Sequence, residues 1–140
     1  MNEFYIELER AKNFIIDNQL QKALEILQAL LEKYPNQECI IFEIGKIYII
    51  EKKYQLGIKY LEKIKISKEY GELVFDLLIY AYKRLEQYNN VFEIYKKMLQ
   101  RSIKINKDKI KIILKKIKKL KKYYEFSIKN LKQNIEKEDV

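Results

Sequence analysis

The 140-residue chain has no histidine, no tryptophan, one cysteine, one proline and three glycines, and each scarcity excludes something. Without histidine, the commonest general base at neutral pH and the commonest zinc ligand are both missing. The lone Cys39 has no imidazole to activate it and cannot close an internal disulfide, so no oxidising compartment is called for. No glycine-rich loop follows a strand-like run, which leaves neither a phosphate-binding loop nor a dinucleotide fingerprint. Neighbouring acids such as Glu7 and Glu9 fall on different sides of a helix, and most carboxylates alternate with lysines as on a solvated helix face. A catalytic role, a cofactor and a metal are therefore not expected.

Long hydrophobic runs are also missing. The most apolar window, residues 39–50, is interrupted by Glu43 and Lys46 and falls short of the roughly 20 residues a membrane span needs. The start of the chain carries Glu3, Glu7 and Glu9 where a secretory signal has a basic start and an unbroken apolar stretch. The expectation is a cytoplasmic protein.

Apolar residues make up 48% of the chain and charged residues 35%, with very few of the Gly, Pro and Asn-Gly signals that hairpins need, so the fold class expected is all-α. The formal charge of +9 is confined to one end. Residues 1–100 hold 15 basic and 15 acidic side chains, whereas residues 101–140 hold 14 and 5.

Comparing the chain with itself at a spacing of 34 residues, the period of a helix-turn-helix repeat, brings like residues into columns without a gap. Small residues recur at Ala11 and Gly45, then at Ala23, Gly57 and the larger Val91, positions where two helices can approach closely. Aromatic residues recur at Phe14, Tyr48 and Tyr82. Large apolar residues recur at Leu20, Tyr54 and Tyr88, at Leu24, Ile58 and Phe92, at Leu27, Leu61 and Tyr95, and at Leu30, Ile64 and Met98. Helices are predicted near residues 3–17, 20–33, 37–51, 54–66, 70–85 and 88–103, with turn or cap signals at Asp17-Asn18, Pro35-Asn36, Ser67 and Asn89-Asn90. Asn106 is placed to cap a seventh helix running from about Lys107 toward Glu136.

This pattern of a small residue, an aromatic three later, a second small residue and a further aromatic resembles the tetratricopeptide repeat, in three copies over about residues 4–37, 38–71 and 72–105. The closest stretches are GKIYIIEKKYQLGIKYLEKI in the second copy and LIYAYKRLEQYNNVFEIYKKML in the third. The first copy departs from the family at Glu7 and Arg10, and the third at Ile79. The resemblance implies a right-handed superhelix, a short solenoid of three helix pairs over residues 1–105, with residues 106–140 as a basic capping helix.

The resemblance also implies a function: a non-catalytic scaffold or adaptor that grips a protein or peptide segment in the groove lined by the first helix of each pair. The matching positions are Leu8, Lys12 and Ile15, then Phe42, Lys46 and Ile49, then Asp76, Tyr80 and Lys83. Apolar and basic residues alternating in this way suit a peptide with apolar anchors and acidic residues. The bland alternative is that Lys12, Lys46 and Lys83 are merely solvated.

The seventh helix carries a second possibility. Between Arg101 and Tyr124 stand eleven basic residues and one acid, Asp108, around an apolar stripe of Ile110, Ile113, Leu114, Ile117, Leu120 and Tyr124. Capping needs only an apolar and a polar face. A surface of Lys115, Lys116, Lys118, Lys119, Lys121 and Lys122 further suits a polyanion, so an electrostatic anchor on nucleic acid or an anionic membrane is the alternative function. Ile128, Leu131 and Ile135 continue the stripe, which either pairs with a second copy to give a homodimer or frays into solvent.

Overall fold

The computed structural model describes residues 2–65, 70–102 and 107–138. These form seven helices: α1 (Asn2–Ile16), α2 (Leu20–Lys33), α3 (Glu38–Ile50), α4 (Tyr54–Leu61), α5 (Gly71–Arg84), α6 (Tyr88–Ser102) and α7 (Lys107–Glu138). The all-α expectation holds for the described residues. Ser67 and Asn106, expected as turn and cap, lie outside them, as do the side chains of Ile128, Leu131 and Ile135.

The chain divides into two compact units, residues 1–86 and 87–140. Within the second unit the helix that α6 packs against is α7.

In the first unit, α1 packs on α2 and α3 on α4, then α2 on α3 and α4 on α5, then α1 on α3 and α3 on α5. The same three kinds of contact thus occur twice in succession. The helix most enclosed by this scheme is α3, which buries Ile40, Ile41, Phe42, Glu43, Ile44, Gly45, Ile47, Tyr48 and Ile49. That is why its sequence reads as an almost unbroken apolar run while α2, half solvated, is amphipathic.

Burial follows the sequence columns. Ala11 and Ala23 are fully buried, as are Leu27 and Leu61 at matching positions of α2 and α4. At the centre of the α3–α4 crossing the two glycines face each other. A Cβ added to Gly57 would stand 2.6 Å from Ile49 Cδ1 and 3.1 Å from the Gly45 carbonyl oxygen, and one added to Gly45 would stand 2.9 Å from two atoms of Leu61. Only hydrogen at both positions lets the backbones come this close.

The turns repeat as well. Asn18, Lys52 and Glu86, spaced 34 residues apart, have φ of 59°, 64° and 57°, the left-handed conformation. After α1, Asn18 N–H donates to the Ile15 carbonyl and Gln19 N–H to the Phe14 carbonyl; after α3, Lys52 and Lys53 donate likewise to Ile49 and Tyr48. These paired bonds form the Schellman motif, which satisfies carbonyls left open at a helix end and reverses the chain. Glu86 N–H makes the corresponding bond to Lys83.

One helix is shorter than expected. α4 stops at Leu61 instead of running to residue 66. Beyond it the backbone tightens, with Lys63 and Ile64 N–H donating three residues back, and the Lys65 N–H is taken by the Glu38 side chain at 3.2 Å. The Glu62 carboxylate accepts a hydrogen bond from the Tyr82 hydroxyl on α5. Ile64 remains buried although it is no longer helical.

In the second unit α6 and α7 pack together, and Tyr88 near the start of α6 meets Tyr123 and Tyr124 of α7 at ring separations of 5.9 and 5.6 Å. On α7 Ile113 and Leu120 are buried, with Ile110, Ile117 and Tyr124 half-buried in the same stripe. Leu114, expected in that stripe, is 50% exposed. Its position turns roughly 100° past Ile113, out of the seam and toward the lysines.

Candidate functional site

Because α1 packs on α3 and α3 on α5, the first helices of successive hairpins lie side by side. The nine positions expected to face a partner separate into two groups. Lys12 and Ile15 on α1 and Lys46 on α3 are half-buried, and Asp76, Tyr80 and Lys83 on α5 are exposed. Leu8, Phe42 and Ile49 are core residues, 5%, 7% and 5% exposed.

Packing accounts for these three placements. Leu8 belongs to the cluster with Ala11, Ala23, Leu27 and Ile44. Phe42 packs its ring at 5.3 Å from that of Tyr70, which precedes α5. Ile49 fills the space that the missing Gly57 side chain leaves between α3 and α4.

The charges on this face are largely compensated. Lys12 pairs with Glu9 at 3.5 Å on the same helix, and Lys46 Nζ stands 2.8 Å from Glu43 Oε2 and 5.6 Å from the Phe42 ring centre. Glu43 is the buried charge of this region, 6% exposed. The Lys46 approach compensates its charge but lies off the direction of a hydrogen bond, so Oε2 has no hydrogen-bond partner among the described residues. Lys12 also acts electrostatically on Cys39, whose thiol is pushed above its ordinary range chiefly by burial and is accordingly a weak nucleophile.

An aromatic and cationic group was not anticipated. Tyr54, at the start of α4, and Tyr80 on α5 meet edge to face at 6.1 Å. Arg84, one turn beyond Tyr80, donates from Nε to the Tyr54 hydroxyl at 3.3 Å and has its guanidinium carbon 6.0 Å from the same ring centre. The Arg84 hydrogen bond lowers the Tyr54 pKa, and Tyr54 in return raises that of Arg84. In the sequence Tyr54 was legible only as a member of an apolar column. The signal available was Arg84 at four residues from Tyr80, the spacing that puts two side chains on one helix face.

On α7, Lys115, Lys116, Lys118, Lys119, Lys121 and Lys122 are all exposed. None of the six forms an ion pair with a described residue. No group of three metal-ligating side chains comes together among the described residues, and no described helix is long and apolar enough to cross a membrane. No protein-family profile matches the chain, and no curated protein matches it in sequence.

Proposed function

We propose that this chain is a tetratricopeptide-like repeat protein, a right-handed superhelix of helix pairs closed by the basic α7, and that it works in the cytoplasm as a non-catalytic adaptor. Its partner is a protein segment with acidic and apolar residues, held against the half-buried side chains of Lys12, Ile15 and Lys46 and the exposed ones of Asp76, Tyr80 and Lys83. The observation that carries this reading is the left-handed residue at Asn18, Lys52 and Glu86, spaced at the repeat period. It is independent of the sequence columns, since none of the three is a glycine and nothing in the column comparison selected them.

The contact surface follows from exposure. Tyr80 is 51% exposed and held by Tyr54, which makes it a large side chain presented at small entropic cost, with Lys83 and Arg84 beside it for a carboxylate. Substituting Phe42 would test folding, because it is core; Tyr80→Ala with Lys83→Ala tests the surface.

The experiment is affinity capture from the native cell extract at low and high salt, with the wild type and this double variant side by side. The expected result is a discrete protein retained by the wild type at high salt and lost by the variant, with both showing the same helical circular dichroism. Equal retention by the two forms would sink the proposed surface.

A further inference from the structure

Between Ile110 and Tyr124 the apolar stripe of α7, Leu114 apart, is buried or half-buried where α7 packs on α6, and the charges lie on the remaining surface. Lys111, Lys115, Lys118 and Lys122 are all exposed and follow one another at steps of four, three and four residues. At 100° and 1.5 Å per residue they occupy a sector about 60° wide and a row about 16 Å long. Lys119 and Lys121 flank the row, and within residues 107–124 the single acid is Asp108, at the start of the helix. Such a row has like charges at every three- and four-residue spacing, an arrangement that destabilises a helix unless an external anion relieves it.

We infer that this row is a binding site for the phosphate backbone of nucleic acid, without preference for sequence. A duplex carries one phosphate per 3.4 Å or so of its axis on each strand, so a row this long covers the axial rise of about five, of which those facing it supply the contacts. Phosphate contacts need only cations in register with the backbone, and the row offers no planar hydrogen-bonding side chain to read a base edge. An anionic membrane is disfavoured by the same geometry. A helix lying in a lipid interface needs a contiguous apolar face, and between Ile110 and Tyr124 that face is mostly buried or half-buried; of the exposed apolar residues, Ile112 and Tyr123 stand on one flank of the lysine row and Leu114 on the other.

The test is fluorescence anisotropy of a labelled 20-base-pair duplex of arbitrary sequence with the full chain, between 50 and 200 mM salt. Each phosphate neutralised contributes about 0.9 to the slope of log affinity against log salt, so four contacts predict a weakening of about 150-fold across that range. The variant Lys111→Gln, Lys115→Gln, Lys118→Gln, Lys122→Gln keeps helix-forming side chains and should lose most of the salt dependence. A control with Lys22, Lys59, Lys65 and Lys97 each changed to Gln removes the same charge elsewhere and should retain it. The inference is overturned if the two variants weaken binding equally, if the wild type fails to bind the duplex at 50 mM salt, or if it is held by phosphatidylserine vesicles in preference to the duplex.

Discussion

Replacing Gly57 by alanine sets two effects of opposite sign against each other. In a solvent-facing helix interior the change would stabilise the protein by about 1 kcal/mol, the difference in helix propensity. Here the new methyl would stand 2.6 Å from Ile49 Cδ1, 2.9 Å from Ile49 Cγ1 and 3.1 Å from the Gly45 carbonyl oxygen. Ordinary carbon contacts lie near 3.5–4.0 Å, so either Ile49 leaves its rotamer or α4 withdraws from α3 by about 1 Å. Ile49 is β-branched on a helix, where one rotamer dominates, and it is buried. The carbonyl contact cannot be relieved by any rotamer. Overpacking of this kind costs about 2–3 kcal/mol, which leaves a net loss of about 1–2 kcal/mol. Urea unfolding measures it: the midpoint should fall by about 0.5–1 M with the slope unchanged. Adding Ile49→Ala removes both clashing carbons, so the double-mutant cycle should show a favourable coupling of about 1 kcal/mol or more. Stabilisation by Gly57→Ala alone, or a cycle without coupling, would refute the close approach of the two helices.

Lys52→Gly should raise stability by about 0.5–1 kcal/mol, because glycine accepts the left-handed turn without the steric cost a lysine Cβ meets; a thermal midpoint higher by about 2–4 °C is the readout. Lys46→Ala strands the buried Glu43 carboxylate and should destabilise the protein by about 1–2 kcal/mol, whereas Lys46→Ala with Glu43→Ala should cost less than Lys46→Ala alone; urea unfolding of the three forms decides it. Burial and the Glu62 carboxylate raise the Tyr82 pKa, so the folded chain holds the phenol proton more tightly than the unfolded chain does. The stabilisation this brings is complete below pH 10, the unfolded value, and is lost as the pH rises above it. Tyr82→Phe should therefore flatten the fall in stability between pH 9 and pH 11, and equal slopes for the two proteins would refute the assignment.

The helices were legible because punctuation and period agree: turn residues are scarce, and where Asp17-Asn18 or Pro35-Asn36 occurs the apolar spacing breaks too. The end of α4 is hidden in the sequence because Ile64 keeps an apolar helical spacing; it is buried from a tightened turn whose partners, Glu38 and Tyr82, are distant in sequence. The site was less legible than the fold. Apolar character alone does not distinguish an exposed residue such as Tyr80 from a core residue such as Phe42, since both follow the same helical period. What separates them is which neighbour stacks above, and for Phe42 that is Tyr70, which stands 28 residues further along the chain.

The polar residues Glu7 and Arg10 have a physical cause of the same kind. Thirty-four residues on from Glu7 and Arg10 stand Ile41 and Ile44, which are 7% and 0% exposed because α1 and α2 pack against α3. Within the first unit, α1 itself packs only on α2 and α3, so the corresponding face has no third helix over it. There Arg10 pairs with Glu7 at 3.4 Å, with side-chain exposures of 58% and 33%. Isoleucines at these two positions would enlarge an apolar surface that already contains Phe4 and Ile26 in an open cavity of about 340 Å³. The polar pair keeps this part of α1 in contact with water. Glu7 and Arg10 thus agree with the packing scheme of the first unit, in which the helices α1 packs on are α2 and α3.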